Sequence, residues 1–235
     1  LSGGDGRKLL NIFELVVNSE QSDSITITNE LVLGKVQSNT VLYDKTGEQH
    51  YDIISAFIKS IRGSDPNGAV YWLARMIEGG EDLKFIARRM LISASEDIGL
   101  ANPTALVIAN NTFLAVTTIG YPEARIILSQ CAIYLATSAK SNASYMAINM
   151  AQQTVKQTGN LSVPLALRNA PTKLMKDLGY GKDYKYAHEY ENNFVDEEFL
   201  PEELTGTSFY KPGKNPRENA IVEFLKKRWK GKYDL

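Results

Sequence analysis

Few residue types in this sequence could do chemistry, and their spacing tests each possibility. A loop that cradles phosphates needs a glycine, four further residues and then Gly-Lys-Ser/Thr, so that consecutive backbone N–H groups surround the anion. Gly-Lys pairs occur at Gly34-Lys35, Gly181-Lys182, Gly213-Lys214 and Gly231-Lys232, and none is followed by serine or threonine. The chain is therefore expected neither to bind ATP tightly nor to hydrolyse it, and to carry no catalytic residue or cofactor of its own. The two histidines, His50 and His188, lie far apart, and neither an HExxH pattern nor a cysteine cluster accompanies them. Metal ligation is accordingly not expected. No Gly-x-Ser-x-Gly elbow is present for a serine nucleophile. Ser95-Glu96-Asp97 could supply paired acids for proton transfer. The plainer reading has these acids facing solvent or paired with Arg88 or Arg89.

Two basic segments could meet nucleic acid. Lys226, Lys227, Arg228 and Lys230 interleave with Trp229 and Tyr233, a mixture suited to phosphate contact and base stacking. The alternative is an amphipathic last helix with Ile221, Val222, Leu225 and Trp229 inward and the cations solvated. Arg168, Lys173, Lys176, Lys182 and Lys185 form a second basic set beside tyrosines, with a solvated face again as the alternative. The net charge of -1 gives no global attraction to DNA, so any contact has to be local.

The elements that must position these residues read as helices. Apolar residues recur at helical spacing over Asp5–Asn18, with Leu9, Leu10, Ile12, Phe13, Val16 and Val17 on one broad face. Ile25-Thr26-Ile27 reads as an extended lead-in to a helix over Asn29–Ser38 capped by Thr28. Asp44-Lys45-Thr46-Gly47 is a turn signal and separates a small N-terminal piece (residues 1–40), through a linker (41–50), from a main domain (51–235). There, helices are expected over Tyr51–Arg62, from Pro66 to Glu78 with Asp65 as cap, Glu81–Asp97, Asn102–Ile119, Pro122–Ala136 and Ser141–Gln157, punctuated by glycines. Beyond about residue 160 the pattern is irregular, with a short helix over Thr172–Leu178, a Gly/Tyr-rich loop to His188, an acidic stretch anchored by Phe194, Val195, Phe199 and Leu200, and a last helix over Pro216–Lys230. Period-2 alternation is nearly absent, so the fold is expected to be all-α, with an irregular tail wrapping the array.

Hydrophobic residues make up 43% of the 235 and charged residues 23%, as in an ordinary globular protein with a sizeable core. The single cysteine, Cys131, excludes an internal disulfide framework and is expected buried, which fits a reducing, cytoplasmic setting. No apolar run is long enough to span a membrane. The apolar excess of Ile126–Leu135 and Tyr145–Met150 suits either a core or a subunit contact. The start at Leu1, directly on a Ser-Gly-Gly-Asp turn, suggests a piece of a longer protein.

Ser2-Gly3-Gly4-Asp5-Gly6-Arg7-Lys8-Leu9-Leu10-Asn11 resembles the sensor-2 segment of AAA+ lids. In that segment an arginine at a helix start faces the nucleotide's γ-phosphate, a role suited to a permanently charged, paired donor. The resemblance extends through Tyr43-Asp44-Lys45 to His50 and on to Pro66, Tyr71–Met76, Ala87-Arg88-Arg89, Ala94–Gly99, Pro122-Glu123, Lys140-Ser141-Asn142, Leu167–Thr172 and Gly179–His188. Together these blocks are similar to the C-terminal part of the RarA/MgsA family of AAA+ ATPases, which includes the Werner-helicase-interacting ATPase. Two stretches match it less well, Leu100–Val116 and the segment after Thr205. The resemblance implies the end of a lid followed by a helical domain like a clamp-loader collar. It implies Arg7 as a sensor-2 residue, a homotetramer, and a full-length protein that uses ATP and Mg. Such proteins would act on DNA ends, gaps or stalled forks in replication, recombination and repair, in the bacterial cytoplasm at the nucleoid, and work with the single-stranded DNA-binding protein.

Overall fold

A computed structural model describes residues 6–19, 25–38 and 48–233. The described residues form helices without a β-strand. The expected turn over 44–47 lies outside them. Helix α1 (Gly6–Asn18) packs against α2 (Asn29–Ser38). The Thr28 hydroxyl accepts the Leu31 amide at 3.2 Å, the capping contact its position calls for.

The main body is built from α3 (Glu48–Arg62), α4 (Pro66–Glu78), α5 (Leu83–Ser93), α6 (Thr104–Ile119) and α7 (Ala124–Thr137). Helix α3 packs on α4, α4 on α7, and α5 on α6, while α7 touches α3, α5 and α6 as well. Their inward faces supply one core: Phe57 and Ile61 from α3, Leu73 and Met76 from α4, Ile86 and Met90 from α5, and Leu128 and Leu135 from α7. Small residues on α6 and α7, such as Ala105, Ala109, Ala124 and Ala132, are fully buried and let the helix axes come close. The start of α4 is fixed locally, because the Asp65 carboxylate accepts the amides of Asn67 and Gly68, both at 3.0 Å, and Pro66 occupies the first helical position, where no amide partner is needed.

One helix differs from its expected form. The reading of a single helix over Glu81–Asp97 gives way to α5 and a π-helical turn over Ala94–Ile98, then a 3-10 turn over Gly99–Ala101. The wide turn carries both Asp97 and Ile98 into the interior. Side-chain bonds across the fold, which no local propensity encodes, hold it there. Helix α8 (Ala143–Thr158) packs on this 94–101 segment, as does the last helix, α10 (Pro216–Trp229), on its 3-10 turn. Between them the chain is irregular, with short 3-10 turns and α9 (Lys173–Asp177).

Candidate functional site

The backbone places Arg7 in the first turn of α1, but its side chain lies outside the described residues, as does that of His50. Further along α1, Leu9, Leu10 and Phe13 are all more than half exposed, so this helix presents an open apolar face.

The acids Glu96 and Asp97 find a different partner from those the sequence suggested. The expected cations were Arg88 or Arg89; the structure brings Arg62 instead, from the end of α3. Its Nε donates to Asp97 Oδ1 at 2.6 Å, and Nη2 lies 3.6 Å from Glu96 Oε1. Arg88 stacks over the Phe85 ring, and the buried Nε of Arg89 has no hydrogen-bond partner among the described residues. The other Asp97 oxygen accepts from Ser93 Oγ at 2.8 Å, and the Asp97 carbonyl accepts the Ser141 amide at 2.8 Å. The hydrogen bond to Asp97 pushes the Arg62 guanidinium up, against an opposing effect of burial. Next to it, Lys140 Nζ donates to the carbonyls of Leu135, Ala136 and Ser138 and lies 3.0 Å from Ser64 Oγ, closing the C-terminal end of α7. Burial lowers the Lys140 ammonium, while Asp97 acts the other way. Arg62, Glu96, Asp97, Lys140 and Ser141, with Asn142 and Tyr145, line a cleft of about 420 Å³. Its charged groups are engaged with one another and with the backbone, so the arrangement holds elements in place and offers no free acid–base pair.

A further anchor was not singled out from sequence. Glu218, in the first turn of α10, is fully buried. Its oxygens accept from Asn215 Nδ2 and, at 3.1 Å, from Tyr210 Oη, and Gly213 and Ser141 Oγ lie against the same carboxylate. Burial would raise this carboxyl, but the polar groups around it, Ser141 first, outweigh it and hold it below the usual range. Against the same carboxylate, burial first and the hydrogen bond second push the Tyr210 hydroxyl up to about 12. The spacing Asn215-x-x-Glu218 is that of a capping box, and the Glu218 amide does donate to Asn215 Oδ1 at 3.0 Å. That spacing predicts a cap; it does not predict burial.

The basic residues are mostly surface groups. Lys173, Lys176, Lys182, Lys185, Lys226, Lys227 and Lys230 are exposed. Lys185 lies 3.5 Å from Glu197 Oε1. Arg168 donates to the Val163 carbonyl at 2.7 Å and sits over the Tyr180 ring. Arg228 lies 3.7 Å from the centroid of Phe224. Trp229 is half-buried, edge-on to Phe194 and Phe199, with Lys232 over it at 4.3 Å. Lys232 also donates to the Glu197 carbonyl at 2.7 Å, so Lys185 and Lys232 both meet Glu197. Among the described residues no group of three or more His, Cys, Asp and Glu could hold a metal, and no helix is long and apolar enough to cross a membrane. Cys131 is buried as expected, and desolvation pushes its thiol up to about 11 despite an opposing hydrogen bond with Thr112.

Two further open clefts are apolar. Helices α4 and α7 flank a groove of about 680 Å³ that includes Val70, Ala74, Ile77, Ile126 and Ile133. Leu91 and Ile92 of α5 face Tyr145 and Ile148 of α8 across another, of about 540 Å³. On α8 only Ala143 is buried, while Tyr145, Met146, Ile148 and Val155 are 43–62% exposed.

The profile of the family described as MgsA AAA+ ATPase C terminal matches residues 63–229, and that of the AAA C-terminal domain matches residues 1–62. This chain belongs to the MgsA AAA+ ATPase C-terminal family. It is 44% identical to the replication-associated recombination protein A of Coxiella burnetii, over 94% of this chain and 51% of that protein. With the protein of the same name from Bacillus subtilis it is 43% identical, over 98% of this chain and 55% of the relative. It is 37% identical to the ATPase WRNIP1 of Dictyostelium discoideum, over 89% of this chain and 26% of that protein. The chain spans about half the length of these bacterial relatives. The resemblance and the all-α fold read from sequence both hold for this MgsA-family chain.

Proposed function

We propose that this MgsA-family domain is the oligomerisation scaffold of a DNA-dependent AAA+ ATPase that acts in replication-fork maintenance and recombination. The observation that supports it is α8. A 16-residue helix with one buried residue is marginal by itself in water. Three of its exposed apolar side chains, Tyr145, Ile148 and Val155, fall on one side at helical spacing and form a surface a monomer rarely leaves open. Each is about half exposed, so covering them is worth roughly 1 kcal/mol apiece. The occupant in this reading is another copy of the chain, in a homotetramer. Assembly would then hold several ATPase modules at fixed spacing and raise their joint hold on DNA.

The rest of the reading concerns the whole protein. ATP and Mg would be bound by a module outside the region matched here, with Arg7 sensing the γ-phosphate. DNA ends, gaps or forks would be its substrates, the single-stranded DNA-binding protein a partner, and the bacterial cytoplasm its location. Light scattering over a wide concentration range tests the scaffold. A mass above the monomer is expected, reverting to monomer in Ile148→Glu and Val155→Glu with helicity retained. A monomeric parent chain, or variants that lose assembly only by unfolding, would refute it.

Lys185 and Lys232, just past α10, both reach Glu197, which brings the two basic segments near one another and favours a second reading, a DNA-binding collar formed by Lys173, Lys176, Lys182, Lys185, Lys226, Lys227, Arg228 and Lys230. Binding by such a surface weakens steeply with salt as counterions are released. Salt-insensitive binding, or none at low salt, would exclude it.

A further inference from the structure

We infer that Glu218 latches the C-terminal tail onto the helical body through Ser141, and that the same contact fixes the start of α8, so tail and α8 dock as one conformational unit. The carboxylate is fully buried and accepts from Tyr210 Oη and Asn215 Nδ2. Both donors belong to the tail itself; from the body, Ser141 Oγ stands beside the same carboxylate, on the other side of Gly213. Ser141 is itself tied down on both sides. Its amide donates to the Asp97 carbonyl in the π turn at 2.8 Å, and its hydroxyl accepts the Ala143 amide at the first turn of α8. Two glycines permit the approach. A Cβ on Gly213 would stand 2.8 Å from Glu218 Oε2 and 3.0 Å from Ser141 Oγ, and one on Gly99 would stand 2.8 Å from the Ser141 carbonyl. Helices α8 and α10 also share a support, since both rest on the 3-10 turn over Gly99–Ala101.

The chemistry of the contact favours docking that is specific and reversible. A buried carboxylate loses its hydration and keeps its place only while its donors are aligned. On undocking, water solvates it again and offsets part of the lost contact. An apolar side chain at the same place would hold the tail without that directional requirement. The latch is kept apart from the scaffold reading by comparing variants and parent at a concentration where light scattering gives them the same mass, so a change at α8 does not report assembly.

Native-state hydrogen exchange read by mass spectrometry tests it on the whole 235-residue chain, with Glu218→Gln and Ser141→Ala as the variants. Glutamine keeps the size but loses the charge and brings an N–H toward donors, and alanine removes the body's hydroxyl from the contact. In both, amides of residues 205–229 and 143–150 are expected to exchange faster together, by about tenfold or more, while those of α3, α4, α6 and α7 keep their protection. Acceleration of the tail alone, with 143–150 unchanged, would overturn the coupling. Equal acceleration of α3, α4, α6 and α7, or no change in either variant, would overturn the latch.

Discussion

Replacing Asp97 by alanine removes the centre of the node that joins α3, the π turn and the loop before α8. Two losses set the magnitude. The hydrogen bond from Arg62 is charge-assisted and short at 2.6 Å, but the arginine side chain is 50% exposed, so solvent screening cuts its contribution to roughly 1 kcal/mol. Ser93 is 2% exposed and loses the acceptor of its hydroxyl, leaving a buried polar group unpaired at about 1–3 kcal/mol. Asp97→Ala should therefore destabilise the chain by about 2–4 kcal/mol, which lowers Tm by roughly 5–15 °C for a domain of this size. Asp97→Asn keeps an acceptor for either neighbour and should lose less than half as much. Urea unfolding followed by circular dichroism measures this, at one fixed protein concentration because association adds its own stability. The slope with denaturant should stay unchanged and the midpoint should fall. An alanine variant within about 0.5 kcal/mol of the parent, the range of an ordinary surface substitution, would refute the assignment of Asp97 as a structural node.

Two further outcomes follow from the same region and from the core. Gly99 has φ of +49°, and a Cβ there would meet the Ser141 carbonyl at 2.8 Å. Gly99→Ala should cost about 2 kcal/mol or more, seen as a lower urea midpoint; an unchanged midpoint would contradict the close packing of the 94–101 turn on Ser141. Cys131, with its thiol pushed up to about 11 by burial, should resist iodoacetamide at pH 8 in the native state and react fully after unfolding, and rapid native labelling followed by mass spectrometry would place it on an accessible surface instead.

Much of the architecture was legible because its causes are local. Asp65-Pro66 marks a helix start in any context, since a carboxylate that accepts two free amides and a proline that needs none act within four residues. Thr28 before α2 works the same way. The helical spacing of Phe57 and Ile61, or of Leu73 and Met76, states which faces turn inward. The long blocks of resemblance carried the family.

Legibility ended where partners are distant in the chain. Arg62 and Asp97 are 35 residues apart, and Arg88 and Arg89 were nearer candidates along the sequence. Only the packing of α3 beside the π turn chooses among the three. The turn itself is a compromise between helix propensity, which would continue α5, and long-range bonds to Arg62 and Ser141. Glu218 reads as a cap by spacing and as a surface acid by charge; its burial depends on the body segment around Ser141, 77 residues away, closing over it beside Gly213. The apolar residues of α7 and α8 looked alike in sequence, yet Leu128 and Leu135 are enclosed while Ile148 and Val155 stand open. Periodicity determines that a helix has an apolar face, whereas tertiary packing decides whether the same chain covers it, because burial is a property of the neighbours and not of the residue.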